Sequence, residues 1–314
     1  MTAGGIELEA PQRPMFGEPV AVGRRKMTPK ESGERKILVP LDGSEGSRAA
    51  LPVALALSDQ LAAAVEVLYV SEHFAGGAAT ATSLGIPASQ APRVAIRTVV
   101  GSPGEEILKA AKDRRVELVV LATAGHCAVV PAHLAPVAEE IAARAVRPVV
   151  LVPSRGSRPA HYARLLVPLD GSLRTTVALK PAMRLAHRLG ARLDLLYVVD
   201  DKPQRSKHHS PAVPMYMDHV QEWGPWRESA IEQYRYQTQC SPSVDVGMAI
   251  CVGDPAEQII HFAQEHKEDA IVLVRRSHLE YGHAAVLRPV VENAPCPVIL
   301  VPRELRRSTA KRRR

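Results

Sequence analysis

One hydrophobic pattern occurs twice along the chain: a short apolar run, a Pro-x-Asp-Gly-Ser turn, and a long segment rich in Ala and Leu. The two openings are KILVPLDGS at residues 36–44 and RLLVPLDGS at residues 164–172. A continuous apolar run of this length is typical of a strand buried on both faces, as in a parallel sheet. Asp-Gly-Ser provides a tight turn and an N-cap for the next helix. The repeat predicts two βα units, each with its ligand-binding edge at the carboxyl end of the first strand.

The first half continues with alternating strands and helices. After the first strand, the predicted strands are residues 65–70, 94–100, 118–121 and 148–152, and the predicted helices are residues 47–64, 105–115 and 137–145. The connections between successive strands are long enough for parallel pairing. Residues 71–92 are rich in Gly, Ala, Ser and Thr, and are predicted to form a mobile loop.

The second half repeats this order with one long insertion. Its predicted elements are the strands 165–169, 192–199, 270–274 and 296–302 and the helix 175–189. The polar segment 200–242 is inserted before its third strand. An α/β protein of two tandem five-stranded parallel-sheet domains is therefore predicted, at residues 34–154 and 162–303. Residues 1–33 are predicted to be a disordered lead, and residues 304–314 a basic tail.

The net charge of +7 comes almost entirely from the C-terminal residues. Residues 303–314 contain seven Lys or Arg residues and one Glu, so the rest of the chain is nearly neutral. A basic run can bind nucleic acid or an anionic membrane surface, but we interpret this one as a solvated tail and expect no such partner. No apolar segment is long enough to cross a bilayer and no signal-peptide pattern is present, so a cytoplasmic location is expected.

Residues with catalytic or metal-binding potential are sparse. The four cysteines form no CxxC pair, and the His208-His209 pair with His219 has no metal-ligand spacing. The Walker pattern and the Gly-x-Gly-x-x-Gly fingerprint do not occur. Ser44 and Ser172 lack the Gly-x-Ser-x-Gly elbow of a hydrolase nucleophile. We therefore expect neither a metal site nor an enzyme.

The chain resembles the universal stress protein family, as a tandem two-domain member. The resemblance covers residues 36–302 and depends on five motifs: Val-Pro-Leu-Asp-Gly-Ser at 39–44 and 167–172, Val-Gly-Ser-Pro at 100–103, Val-Gly-Asp-Pro-Ala-Glu at 252–257, and Ala-Pro-Cys-Pro-Val-Ile-Leu-Val-Pro at 294–302. It implies an adenine-nucleotide-binding, Rossmann-like fold and a role in the stress response. It also implies an intramolecular pseudo-dimer of the two domains, with homo-dimers as a further expectation. The strands that end at Val152 and Val301 are expected to be exposed edges.

The resemblance also implies an ATP site at the carboxyl edge of each sheet. In the first half the implied contacts are Pro40, Leu41, Asp42, Val70, Gly101, Leu121, Ala122, Gly125 and Val137. In the second half they are Pro168, Asp170, Val198 and Gly253. Arg275 and Arg276 replace the glycines at the start of the family's loop there, and are instead candidates to bind an anion through their side chains. The family's Gly-x2-Gly-x9-Gly-[Ser/Thr] loop lets backbone N–H groups approach phosphates closely. Here that loop is degenerate, since Pro136 stands where its last residues would be and has neither an N–H nor a hydroxyl.

Three functions are compatible with these features. The favoured one is a non-enzymatic stress-response protein that binds ATP or another adenine nucleotide weakly through its first half. The second is a nucleotide-independent interaction module that presents the 200–242 insertion, which contains Trp223 and Trp226, to a partner; the same insertion is alternatively a lid or packs against the other domain. The third, a weak ATP hydrolase, is the least favoured, because no catalytic signature accompanies the fold.

Overall fold

A computed structural model of the chain describes residues 35–72, 78–123, 134–153, 156, 158–170, 178–199, 223–238, 243–275 and 286–302. Its strands are β1 (Lys36–Pro40), β2 (Ala64–Ser71), β3 (Val94–Val100), β4 (Val116–Ala122), β5 (Val149–Val152), β6 (Arg164–Leu169), β7 (Arg192–Val199), β8 (Val246–Val252), β9 (Ala270–Arg275) and β10 (Val298–Pro302). Its α-helices are α1 (Glu45–Arg48), α2 (Ala50–Leu61), α3 (Pro103–Ala110), α4 (Pro136–Arg144), α5 (Leu179–Leu189), α6 (Trp223–Thr238), α7 (Pro255–Glu265) and α8 (Leu287–Asn293).

The described strands form one sheet in the order β3-β2-β1-β4-β5-β10-β9-β6-β7-β8. The five strands of each half pair in parallel, as predicted, and the order within each half is the same. The halves meet where β5 and β10 run antiparallel, with Val150 opposite Ile299. The expectation that the strands ending at Val152 and Val301 are exposed edges is therefore wrong, because each covers the other inside the chain. The edges of the sheet are β3 and β8 instead.

Helices cover both faces of the sheet and bury two apolar layers. Successive residues of a strand point to opposite faces, so Ile37 and Val39 lie in the layer under α2 and α5, whereas Leu38 lies in the layer under α3, α4, α7 and α8. Each layer contains residues from both halves. The hydrophobic core is thus continuous across the β5–β10 junction, which explains why the two halves associate.

The first predicted helix, residues 47–64, is divided and shorter than predicted. Ser44 begins it, since its hydroxyl accepts a hydrogen bond from the Ser47 N–H. Ala62 ends it in the left-handed conformation, at φ +51°. The predicted helix 105–115 likewise ends early, at Ala110.

The loop predicted at residues 71–92 contains ordered packing in its described part. Leu84 and Ile86 are buried in the apolar layer that lies under α2 and α5. The Ser83 and Thr80 side chains and backbones hydrogen-bond to each other and form a compact turn. The segment therefore closes one side of the first-half core.

The insertion in the second half forms the helix α6, which packs on its own half. The Thr238 hydroxyl lies 3.1 Å from the Met183 sulfur of α5, and Arg235 donates to the Val244 carbonyl just before β8. Tyr234 is buried with them. The described part of the insertion makes these contacts within its own half, and packing of the insertion against the other domain stays a prediction. The other candidate roles, a lid or a partner surface, stay predictions, and the side chains of Trp223 and Trp226 lie outside the described residues.

Candidate functional site

The candidate site lies at the carboxyl ends of β1 and β4. The chain leaves β1 towards β2 on one side, while β4 flanks β1 on the other side. Such a reversal of strand order opens a crevice, where ligands of open α/β sheets bind. Pro40 ends β1, Val70 lies near the end of β2, and Gly101 follows β3. The parallel pairing therefore brings these predicted residues to one edge of the first-half sheet.

Asp42 is held in a tight turn at this edge. Its Oδ1 accepts hydrogen bonds from the Ser44 N–H (2.9 Å) and the Ser44 hydroxyl (2.6 Å). Gly43 between them has φ +82°, a conformation that glycine adopts readily. Leu41 is 3% exposed and forms the base of the turn, whereas Asp42 is exposed. The turn thus presents a carboxylate at the mouth of the crevice.

The β4 side of the crevice is apolar at its floor. Leu121 and Ala122, the last residues of β4, are buried. The Ala135 N–H donates to the Thr123 carbonyl over 2.9 Å, which closes the ends of the segment that contains Gly125. Gly125 itself lies outside the described residues.

Helix α4 starts beside this floor without a side-chain cap. Ala135 stands at the N-cap position and Pro136 at the first helical position. Val137 in the first turn is 38% exposed. The uncapped N–H groups and the helix dipole favour an anion at this position, although Pro136 itself donates nothing.

In the second half, Tyr197 occupies the corresponding edge. Tyr197 is a buried residue, and its hydroxyl donates to the Asp170 carbonyl at 3.5 Å. Burial, followed by the nearby Asp170, raises the pKa of Tyr197, so it is a neutral donor. Sequence reasoning missed Tyr197. The signal that could have found it is the Tyr69 at the same place in the first copy, in Leu-Tyr-Val beside the predicted contacts Val70 and Val198.

The other described residues predicted for the second half lie at the same edge, and Val198 is less accessible there than Val70 in the first half. Pro168 lies within β6 and Asp170 is exposed just after it. Val198 is buried in β7, and Gly253 follows β8 with φ +137°. The sheet therefore brings these four residues to one edge, as it does their first-half counterparts.

Arg275 ends β9 and faces the first half. Its guanidinium donates to the carbonyl of Ala145, the C-cap residue of α4. Burial lowers the pKa of Arg275. The contact that the structure gives this side chain is therefore between the halves, while its predicted contact with an anion stays a prediction. Arg276 lies outside the described residues.

Within the described ranges, no three His, Cys, Asp or Glu side chains gather closely enough to hold a metal ion. His208, His209 and His219 lie outside those ranges. None of the described helices has the length and apolar character that a membrane span needs.

Comparisons with known proteins indicate the family to which this chain belongs. The sequence pattern of the universal stress protein family matches residues 34–153 and again residues 161–302. A universal stress protein of Methanocaldococcus jannaschii is 27% identical over 143 residues, which are 45% of this chain and 82% of that protein.

Two solved structures share the fold along most of the chain. A universal stress protein from Archaeoglobus fulgidus has a TM-score of 0.57 and 17% identity, over 86% of this chain and 99% of its own. A functionally unknown protein from Pseudomonas aeruginosa has a TM-score of 0.55 and 15% identity, over 88% and 95%. The repeated family pattern covers most of the sequence and both halves of the sheet. The chain therefore belongs to the universal stress protein family, with one domain of that family in each half.

Proposed function

We propose that this chain is a non-enzymatic, cytoplasmic stress-response protein that binds ATP or another adenine nucleotide weakly through its first half. The observation that carries the proposal is the exposed Asp42 carboxylate, which the Ser44 turn holds at the crevice between β1 and β4. A carboxylate here suits hydroxyl or amino groups of a nucleoside, and the uncapped start of α4 suits its phosphates.

The binding is proposed to be weak because the phosphate side is incomplete. Pro136 opens α4 and removes one of the N–H groups that would otherwise reach a phosphate. The second half is proposed to bind less well, since the Tyr197 hydroxyl bonds the Asp170 carbonyl and Arg275 bonds the first half.

No catalytic step is assigned to this site. The Ser44 hydroxyl donates to the Asp42 carboxylate and accepts from the Ser47 N–H as the N-cap of α1. The first hydrogen bond holds the turn and the second caps the helix, so both are structural. The role proposed for Asp42 is accordingly recognition of a ligand.

The proposal is tested by thermal unfolding with millimolar ATP, ADP, AMP and cyclic nucleotides. A ligand that binds only the folded chain raises Tm by mass action. Asp42→Asn keeps an acceptor for Ser44 but removes the charge, and is expected to reduce the shift. Asp170→Asn is the matched control in the second half and is expected to leave it unchanged. No shift with any nucleotide, or a shift lost only in the Asp170 variant, would overturn the proposal.

A nucleotide-independent interaction module is the second candidate. Tyr236 of α6, within the 200–242 insertion, is 86% exposed. Exposed aromatic residues are enriched where proteins bind partners. A photo-crosslinking amino acid at position 236 is then expected to capture a defined partner that the same group at the exposed position Arg93 does not. Equal labelling from both positions would contradict this role.

A further inference from the structure

A charge cluster with two buried carboxylates, Asp194 and Glu268, lies at the amino ends of β6, β7 and β9, on the edge of the second-half sheet opposite the candidate site. Arg164 donates to Asp194 at 2.8 Å and to Glu268 at 3.0 Å. Arg192 pairs with the same Asp194 at 2.8 Å and with Asp245 at 3.1 Å. Two arginines therefore serve three carboxylates, and Arg164 is shared between two of them.

Glu268 is the least satisfied member of this cluster. The residue is 3% exposed, its Oε1 receives both hydrogen bonds from Arg164, and its Oε2 is buried with no donor to it among the described residues. A buried carboxylate oxygen without a donor is costly when the group is charged. Protonation of the carboxyl removes most of that cost.

The described part of the first half has no counterpart of this buried carboxyl. Its corresponding pair is Lys36 with Glu66, at 2.5 Å. When the halves are aligned on Gly101 and Gly253, Val116 takes the place of Glu268. The first half therefore provides an internal reference with the same fold, the same edge and no extra carboxyl.

Among the described residues, the groups that face Glu268 include one cation. They are Arg164 from β6, Asp194 from β7, and the Cys296 thiol, with Asp269 adjacent in the chain. Burial, followed by the Asp194 carboxylate, raises the pKa of Glu268 to about 7 against the opposing effect of Arg164. Burial is also the main cause that raises the pKa of Cys296 to about 12, so this thiol stays neutral.

The cluster is connected to the first half through the linker. Asp269 accepts hydrogen bonds from the Ala163 and Arg164 N–H groups, at 2.7 and 2.9 Å. The preceding residue, Tyr162, exchanges two backbone hydrogen bonds with the Gln60 amide of α2. Linker residues 162–164 are therefore held by the second half on one side and by the first half on the other.

We propose that Glu268 is a proton-controlled switch of the contact between the two halves. With the proton on Glu268, the charge of Arg164 is balanced by Asp194 and the amino end of β6 stays closed against the linker. Without the proton, two carboxylates share Arg164 and the buried Oε2 draws water into the cluster, so the hydrogen bonds of Asp269 to the linker open more often. The switch lies outside the nucleotide site and does not depend on it.

The sign of the pH dependence follows from the raised pKa. In the unfolded chain Glu268 loses its proton near its ordinary pKa of 4.5, whereas in the folded chain it keeps the proton to about pH 7. The contribution of Glu268 to the stability of the folded chain is complete below its pKa in the unfolded chain. That contribution is lost as the pH rises through its pKa in the folded chain. Between these two pKa values, the ionisation of Glu268 increases the unfolding equilibrium constant close to tenfold per pH unit.

Hydrogen exchange and denaturant unfolding of the full chain test the switch. Glu268→Gln imitates the protonated carboxyl, and Glu268→Val copies the first-half residue Val116. At pH 8 peptides spanning residues 159–170 are expected to exchange several-fold faster in the wild type than in the Gln variant, and equally at pH 5. First-half peptides spanning 35–42 are expected to exchange alike in all three proteins.

Between pH 5 and 6.5 the ratio of wild-type to Gln-variant unfolding constants is expected to rise about tenfold per pH unit. A ratio independent of pH, or equal exchange at pH 8, would overturn the proposal.

Discussion

Gln60 and Arg188 stand at equivalent positions in the two halves, and each donates to the last residue of the other's helix. Gln60 Nε2 lies 3.0 Å from the Leu189 carbonyl, and Arg188 Nη2 lies 3.5 Å from the Leu61 carbonyl. Leu61 ends α2 and Leu189 ends α5, where helix carbonyls lack partners within the helix. The two halves therefore satisfy each other's helix ends on one face of the sheet, while β5 and β10 join them within it.

These two contacts are expected to differ in strength. Gln60 also exchanges two hydrogen bonds with the Tyr162 backbone, so Gln60→Ala leaves several buried groups unpaired and is expected to cost about 2–3 kcal/mol of unfolding free energy. Arg188 adds one partly exposed ion pair, to Glu117, and Arg188→Ala is expected to cost less than about 1 kcal/mol. Urea unfolding measures both, with Asp59→Ala as the exposed neighbouring control. An equal cost for the two variants would contradict this order.

Tyr162→Phe is expected to stabilise the chain. Tyr162 is fully buried, yet its hydroxyl has no hydrogen-bond partner in the part of the chain that the structure describes. Removing a buried unpaired hydroxyl saves roughly 1 kcal/mol or more of desolvation while the ring keeps its packing. Tyr162→Ala, by contrast, creates a cavity and is expected to cost about 3–5 kcal/mol. Thermal unfolding distinguishes the cases, and a Phe variant less stable than the wild type would show that the hydroxyl makes a favourable contact.

The strands could be predicted closely because their signal is local. Residues 94–100 and 192–199 are observed as β3 and β7 with the same bounds as predicted. An apolar run of five to eight residues between turn residues identifies a buried strand by itself. The two copies then support each other, so the repeated fold follows from the sequence.

Features that depend on distant partners could not be predicted in this way. Arg275 bonds a carbonyl 130 residues earlier in the chain, and no local pattern indicates such a contact. The antiparallel β5–β10 pair likewise joins segments about half the chain apart. Helix α6 was hidden by its polar composition, although Ala230, Tyr234 and Thr238, all buried, follow a spacing of four that marks one helix face. For the site, the turn at Asp42 was recognisable, whereas the Tyr197 contact required the fold.

Gly156→Ala is expected to destabilise the junction between the linker and the second half. Gly156 has φ +116°, and a Cβ at this position would lie 2.5 Å from the Pro295 carbonyl oxygen. Backbone strain and a clash with backbone together are expected to cost about 2–4 kcal/mol. Gly190→Ala is the matched control, since φ is +66° and no described atom lies within 4 Å of a Cβ at this position, so that only the backbone cost of about 1 kcal/mol remains. Similar costs at both positions in denaturant unfolding would mean that the Pro295 segment gives way.

Arg275→Met is expected to weaken the contact between the halves and leave nucleotide binding unchanged. The variant keeps an apolar chain of similar length but removes the donor to the Ala145 carbonyl. Hydrogen bonds of charged groups contribute about 1.5–3 kcal/mol, so a loss in this range is expected in denaturant unfolding. Arg114→Met, at an exposed position, serves as the control and is expected to have no effect. If Arg275 instead gripped a phosphate, its variant would lower the Tm shift with ATP while the stability without ligand stayed that of the wild type. The two measurements on one variant therefore separate a structural contact from a binding one.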